Sequence, residues 1–140
     1  MGGKQSLELF RFSDIGKSVV VVVECGDSRL VGGAEPQRYH SAFLVVESDF
    51  VSGRLRLALS DGDLDDWGRC LDALDAEERV EWPAGDRTAW LEVVPDDPVE
   101  VTVHDMPSTQ IAVRVPIHFT DEWVEENRVR LERVREAVEL

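Results

Sequence analysis

The stretch Val99-Glu100-Val101-Thr102-Val103-His104 alternates apolar and polar side chains, and Ile111 to Phe119 shows the same pattern after a short polar gap. Successive side chains of a β-strand point to opposite faces, so this period predicts two strands with one buried and one wet face. A wet face is typical of antiparallel sheets. Pro116 lacks a backbone donor, which predicts an edge position or a bulge for the second strand.

Five further segments on the N-terminal side are rich in Val, Leu and Ile and are predicted as strands. They are Leu7 to Phe12, Val19 to Glu24, Ser41 to Val46, Arg54 to Leu59 and Thr88 to Val94.

Helical spacing replaces the strand pattern in two places. The first has Leu64, Trp67, Leu71 and Leu74, and the second has Trp123 or Val124, Asn127, Leu131, Val134 and Val138. Ser60 or Asp61 can cap the first helix and Thr120 the second.

These elements together predict an α+β fold, with a mostly antiparallel sheet of six or seven strands packed by two helices. The 140 residues are expected to form a single domain, 1–140. The predicted core contains Leu55, Leu57, Leu71, Leu74, Val113, Val115, Leu131 and Val134.

The two halves of the chain resemble each other at an offset of 56 residues, which places Phe43 on Val99, Leu57 on Val113 and Trp67 on Trp123. This indicates a possible internal duplication of a strand hairpin followed by a helix. Any two amphipathic hairpins with helices would match in part, so shared physics is the alternative.

Negative charge is the property that departs furthest from the ordinary, with 29 Asp and Glu against 15 Lys and Arg and a net charge of −14. Nucleic acid and anionic membranes are bound through Lys and Arg, so both are disfavoured as partners. The excess favours a basic protein partner. The predicted docking residues are Asp65, Asp66, Asp72, Asp75, Glu77 and Glu78, although an acidic face kept for solubility explains the charge equally well.

No complete catalytic or metal-binding motif is present, so no catalytic residue, metal or cofactor is predicted. The segment from Asp61 to Asp66 alternates carboxylates like a calcium loop, but Asp66 and Asp72 stand where an EF-hand needs Gly and Glu.

Cys25-Gly26-Asp27-Ser28 resembles the opening of GDSL-type hydrolases, in which the serine is the nucleophile, yet the Asp-x-x-His pair of that family is missing. His104 and His118 are expected at the surface, and His40 receives no role.

Three segments resemble a family of uncharacterised actinobacterial domains: Ser48 to Leu55, Asp63 to Trp67 with Leu71 and Leu74, and Pro107 to Gln110 with Val113 and Val115. The likeness runs from about Ser18 to Val134 and implies a shared fold without an assigned activity. More distantly, the helix Leu64-Asp65-Asp66-Trp67-Gly68 and its flanking strands resemble WapI-type immunity proteins. That resemblance implies a protein that neutralises a toxin by binding it.

The sequence therefore favours a non-enzymatic protein-binding domain, immunity-like, that holds a basic toxin through an acidic face. One alternative is an enzyme or small-ligand binder whose pocket lies between sheet and helices and uses dispersed residues such as His104, Asp105 and Arg114. Another is a structural subunit of a larger assembly, which an exposed apolar patch would favour.

The longest apolar run, Val19 to Val23, is too short to span a membrane and no signal peptide is apparent, so a cytoplasmic location is expected.

Overall fold

The computed structural model describes residues 5–84, 89–106 and 108–139 and confirms the α+β class. In this part of the chain there are eight strands and two helices. The strands are β1 (Gln5–Ser13), β2 (Lys17–Val31), β3 (Gln37–Ser48), β4 (Ser52–Ser60), β5 (Val80–Trp82), β6 (Ala89–Val94), β7 (Val99–Asp105) and β8 (Ile111–Ile117). The helices are α1 (Asp61–Asp75) and α2 (Trp123–Glu139). Thr88, the predicted start of a strand, and Pro107 lie outside the described residues.

The strands pair in two antiparallel sheets, whereas the pattern suggested one sheet of six or seven strands. The first sheet has the order β1-β2-β3-β4 and the second β5-β6-β7-β8, and a helix follows the last strand of each. Alternation identifies a strand but not its neighbours, so the division into sheets is not visible in the pattern. The same order of elements occurs in both halves, as the 56-residue offset indicates. Pro116 lies on β8, which is an edge strand as predicted.

Sequence patterning misses β5, because its three residues are too few to show a period of two. Val80 and Trp82 of this strand are buried, and Glu81 points outward. The pattern also underestimates β2 and β3. Beyond the core their hairpin continues with residues that do not alternate between apolar and polar, such as Ser28-Arg29-Leu30-Val31, and the register shifts between Val23 and Ser28. A segment without alternation gives no signal that could reveal the length of the strand.

Helix α1 begins after Ser60, whose side chain accepts a hydrogen bond from the backbone N–H of Asp63. The Asp63 carboxylate in turn accepts one from the backbone N–H of Ser60 at 2.9 Å, which completes a capping box. Of the two predicted caps, Ser60 is therefore the one used. Helix α2 begins at Trp123, three residues after the predicted cap Thr120.

One cluster of buried side chains includes residues from both sheets and both helices. At its centre the ring of Trp67 on α1 lies 4.4 Å from that of Phe10 and 5.3 Å from that of Trp82, measured between centroids. Of the eight predicted core residues, six are buried: Leu57, Leu71, Leu74, Val115, Leu131 and Val134. Leu55 and Val113 are only partly buried, because they line an open groove between the two sheets.

Asp14, in the turn between β1 and β2, connects the two sheets. Its Oδ2 accepts a hydrogen bond from the backbone N–H of His118, just after β8, and its Oδ1 accepts one from that of Gly16, both at 3.0 Å. The Lys17 ammonium lies 3.1 Å from Oδ2. Burial acts to raise the pKa of Asp14, but these hydrogen bonds and the Lys17 charge outweigh it and lower the pKa from 3.8 to about 2.

We expect Asp14 to stabilise the fold at neutral pH and to lose this contribution in acid. A carboxyl with a lowered pKa in the folded state stabilises above its unfolded pKa. The difference in unfolding free energy between the wild type and Asp14→Asn should therefore be constant above about pH 5 and shrink as the pH falls through about 4 towards 2. Urea unfolding at stepped pH measures it. Asp49→Asn, at an exposed acid in another turn, is the control; a wild-type advantage unchanged at pH 3 would contradict the prediction.

Candidate functional site

The six predicted docking residues lie on the outward side of α1 and in the turn that follows it. Five of them are exposed and Asp66 is half-buried. We call these six side chains, Asp65, Asp66, Asp72, Asp75, Glu77 and Glu78, the acidic surface.

Arginines of α2 neutralise part of the acidic surface. Arg128 contacts Asp72 at 2.5 Å and Asp75 at 3.5 Å, and Arg135 lies 3.5 Å from Asp65. The hydrogen bond with Asp72 raises the pKa of Arg128. Gly68 leaves room for the Arg135 side chain, since a Cβ at this position would lie 3.0 Å from its guanidinium. The paired acids therefore also join α1 to α2.

Glu77 and Glu78 differ from the other acids, because neither makes an ion pair with a described residue. Their backbone N–H groups donate to Leu74 and Ala73 and end the helix, with Glu77 in the left-handed conformation at a φ of 61°. The last turn of α1 contains no basic residue. The acidic surface thus ends in two carboxylates that pair with no described residue and lie at the negative end of the helix dipole.

A second polar cluster, which the sequence did not reveal, surrounds His40. This side chain is fully buried, with Nδ1 2.7 Å from the Ser28 hydroxyl and Nε2 2.8 Å from Oδ1 of Asp61. Arg38 donates to both oxygens of Asp61, at 3.1 and 3.2 Å. One signal was available: His40 is in phase with the buried Ala42 and Leu44 on β3, and a buried histidine needs partners.

The carboxylates that suggested a calcium loop are engaged in other contacts. Asp61 binds His40 and Arg38, and Asp63 belongs to the capping box. In the described ranges no group of three or more His, Cys, Asp or Glu residues is arranged to hold a metal ion.

The residues of the dispersed-site alternative are not brought together. His104 stacks on Trp90 with ring centroids 3.9 Å apart, Asp105 accepts a hydrogen bond from Thr109 and Arg114 pairs with Glu100. His118 is exposed, as expected. The apolar groove lies between the two sheets, lined by Leu44, Val46, Leu55, Val103 and Val113, and not between sheet and helices.

Exposed apolar side chains, which would favour a structural subunit, are found on several hairpins. Ile15 and Phe50 occupy two turns, and Leu30 lies on the extended part of β2. No helix of the described residues is long and apolar enough to cross a membrane.

A protein-family profile described as a family of unknown function (DUF5959) matches residues 7–139. No curated protein matches the chain. The chain is similar to the solved structure of the plant transcriptional regulator PBF-2, with 10% sequence identity and a TM-score of 0.49, over 99% of this chain and 90% of that one.

Proposed function

We propose that the chain, which belongs to the DUF5959 family of unknown function, binds a basic protein partner through the acidic surface. More specifically, we propose that the domain is immunity-like and neutralises a basic toxin. The observation that carries it is the placement of Glu77 and Glu78, which are exposed at the end of α1 and form no ion pair with a described residue.

The stability of the fold does not explain this placement. Negative charge at a helix C-terminus opposes the dipole, typically by about 0.3–1 kcal/mol per charge. Glycine is the residue that best suits a left-handed position after a helix, yet Glu77 occupies it. Both acids therefore act against local stability, as expected of residues retained for an interaction with another molecule.

The surroundings strengthen the negative field. Residues 61–82 contain nine Asp and Glu and two Arg. Of the two arginines, Arg79 forms ion pairs with Glu81 and Glu92, so its positive charge is already compensated. Such a field attracts Lys and Arg on a partner and repels phosphate groups, which favours a protein over nucleic acid or an anionic membrane.

The test compares three forms of the immobilised protein in capture from the native cell extract: the wild type, the double variant Glu77→Lys/Glu78→Lys, and a control, Glu35→Lys/Asp49→Lys. The control changes net charge equally at exposed acids in two hairpin turns. We expect a basic protein to be retained by the wild type and the control and lost by the Glu77/Glu78 variant.

For the captured protein, the association rate should fall at least about tenfold in the Glu77/Glu78 variant and should also fall as salt rises, since exposed charges are screened over about 8 Å at physiological ionic strength. Surface plasmon resonance measures both. Equal capture by all three forms, or an association rate that does not change with salt, would contradict the proposal and indicate that the acidic surface serves solubility.

A further inference from the structure

The Ser28, His40 and Asp61 side chains form a continuous hydrogen-bonded line that runs from the exposed serine through the buried histidine to Asp61, whose side chain is 51% exposed. Ser28 lies on β2, His40 on β3, and Asp61 is the first residue of α1. The serine is exposed, whereas the histidine between the two other residues is fully buried. This arrangement is independent of the acidic surface and has no part in the binding function proposed above.

The contacts of Asp61 fix the proton on the imidazole ring. An ionised carboxylate only accepts hydrogen bonds, so Nε2 of His40 carries the hydrogen and donates it to Oδ1 of Asp61. Nδ1 is then left with a lone pair that faces the Ser28 hydroxyl at 2.7 Å. The hydroxyl is therefore the donor, and its proton points at a base that can remove it.

Asp61 is held as an ionised acceptor. Burial acts to raise its pKa, but the hydrogen bonds to His40 and Arg38 outweigh this and lower it. Arg38 is itself anchored at the end of α2, where Nη1 donates to the Val138 carbonyl at 2.7 Å. A hydroxyl next to a base, with a carboxylate that orients the base, is the arrangement that activates a nucleophile. Arg38 holds that carboxylate in place.

A bulge in β2 presents Ser28 to solvent. In the pairing of β2 with β3, the register shifts between Val23 and Ser28, and the four residues of β2 between them have no partner on β3. One of these four, Gly26, has a φ of 97°. Bulges are over-represented near active sites because they re-aim a side chain.

We propose that Ser28 is the nucleophile of an acyl-transfer site that hydrolyses small, uncharged carboxylic esters. Ser28 Oγ bonds to the ester carbonyl carbon while His40 Nδ1 takes its proton. The ester C–O bond then breaks, and the alcohol leaves with that proton. Water then attacks the acyl carbon while His40 Nδ1 takes one of its protons. The bond between that carbon and Ser28 Oγ breaks, the acid is released, and Ser28 Oγ recovers the proton from Nδ1. The backbone N–H groups of the bulge are the nearest donors in sequence for the oxyanion.

The surroundings of Ser28 indicate the substrate class. The exposed apolar side chains of Leu30 and Val31 follow on the same strand and offer contact to an apolar acyl or alkyl group. The net charge of −14 disfavours anionic esters. The exposed position of the serine admits a small substrate without an enclosed pocket.

The test uses a fluorophosphonate probe, which phosphonylates activated serines, and p-nitrophenyl acetate as the ester. Four folded forms are compared by intact mass, peptide mapping and ester turnover: the wild type, Ser28→Ala, Asp61→Asn and Ser52→Ala. Ser52 is an exposed strand serine bonded to Glu47 and serves as the matched control. Circular dichroism establishes that each form is folded.

We expect one adduct on Ser28 in the wild type and Ser52→Ala, none in Ser28→Ala, and at least tenfold slower labelling in Asp61→Asn. Ester turnover should follow the same order. A folded wild-type protein that stays unlabelled, is labelled at another serine, or turns over the ester as fast as Ser28→Ala would overturn the proposal. If Asp61→Asn were labelled as fast as the wild type, the hydrogen bond between Asp61 and His40 would have only a structural role, which would also contradict the proposal.

Discussion

Replacing Trp67 by alanine is expected to lower the free energy of unfolding by about 3–5 kcal/mol, the usual range for a large aromatic side chain removed from a core. Trp67 is fully buried and touches aromatic rings from both sheets, with Phe10 and Phe12 on β1 and Trp82 on β5. The surrounding strands are paired in their sheets and can move little to fill the cavity. Urea unfolding followed by circular dichroism measures the change.

Trp67→Phe is the matched variant for this prediction. It keeps an aromatic ring and removes the indole N–H, which is buried without a hydrogen-bond partner among the described residues. The loss of volume is therefore partly offset by the removal of an unsatisfied donor, and the destabilisation should be less than half that of alanine. A loss below about 1 kcal/mol for Trp67→Ala would place this side chain outside the core.

Replacing Asn127 by alanine is expected to cost about 1–3 kcal/mol, because it leaves partly buried backbone groups of an edge strand without partners. The Oδ1 atom of Asn127 accepts a hydrogen bond from the backbone N–H of Arg11 on β1 at 2.8 Å. Its Nδ2 donates to the Arg11 carbonyl at 3.3 Å and to the Trp123 carbonyl at 2.9 Å. This one side chain thus covers the exposed edge of β1 and attaches α2 to it.

Arg133→Ala is the control for Asn127→Ala, since it alters an exposed position of the same helix and should change stability by less than about 0.5 kcal/mol. Thermal and urea unfolding of both variants measure the difference. If Asn127→Ala were no more destabilising than Arg133→Ala, water would have to satisfy the Arg11 backbone and the attachment of α2 would rest on apolar packing alone.

Helix α1 positions both candidate sites. Its first residue, Asp61, contacts His40, and its last turns and the following Glu77 and Glu78 carry the acidic surface. The helix is fixed between them by the Trp67 ring and by Trp82, whose indole N–H donates to the Asp63 carbonyl at 2.8 Å. Variants of Trp67 should therefore affect both sites only through loss of the fold.

The sequence by itself determined the secondary structure wherever a period of two or 3.6 was sustained. The strands with one buried face and both helices follow from local patterns, which also limit the cap of α1 to Ser60 or Asp61 and the position of Pro116 to an edge or a bulge. The surface location of the six acids follows as well, since charged residues opposite an apolar helix face remain in solvent. These features depend on neighbours along the chain, which the sequence displays directly.

Only the tertiary structure decided how the strands divide between two sheets and which side chains meet across them. Ser28, His40 and Asp61 are separated by 12 and 21 positions and meet because β2 and β3 pair and α1 starts at the end of β4. Likewise Asn127 finds Arg11 116 positions away. Contacts of this kind depend on strand pairing and helix docking, which the free energy of the whole core selects and which no local period encodes.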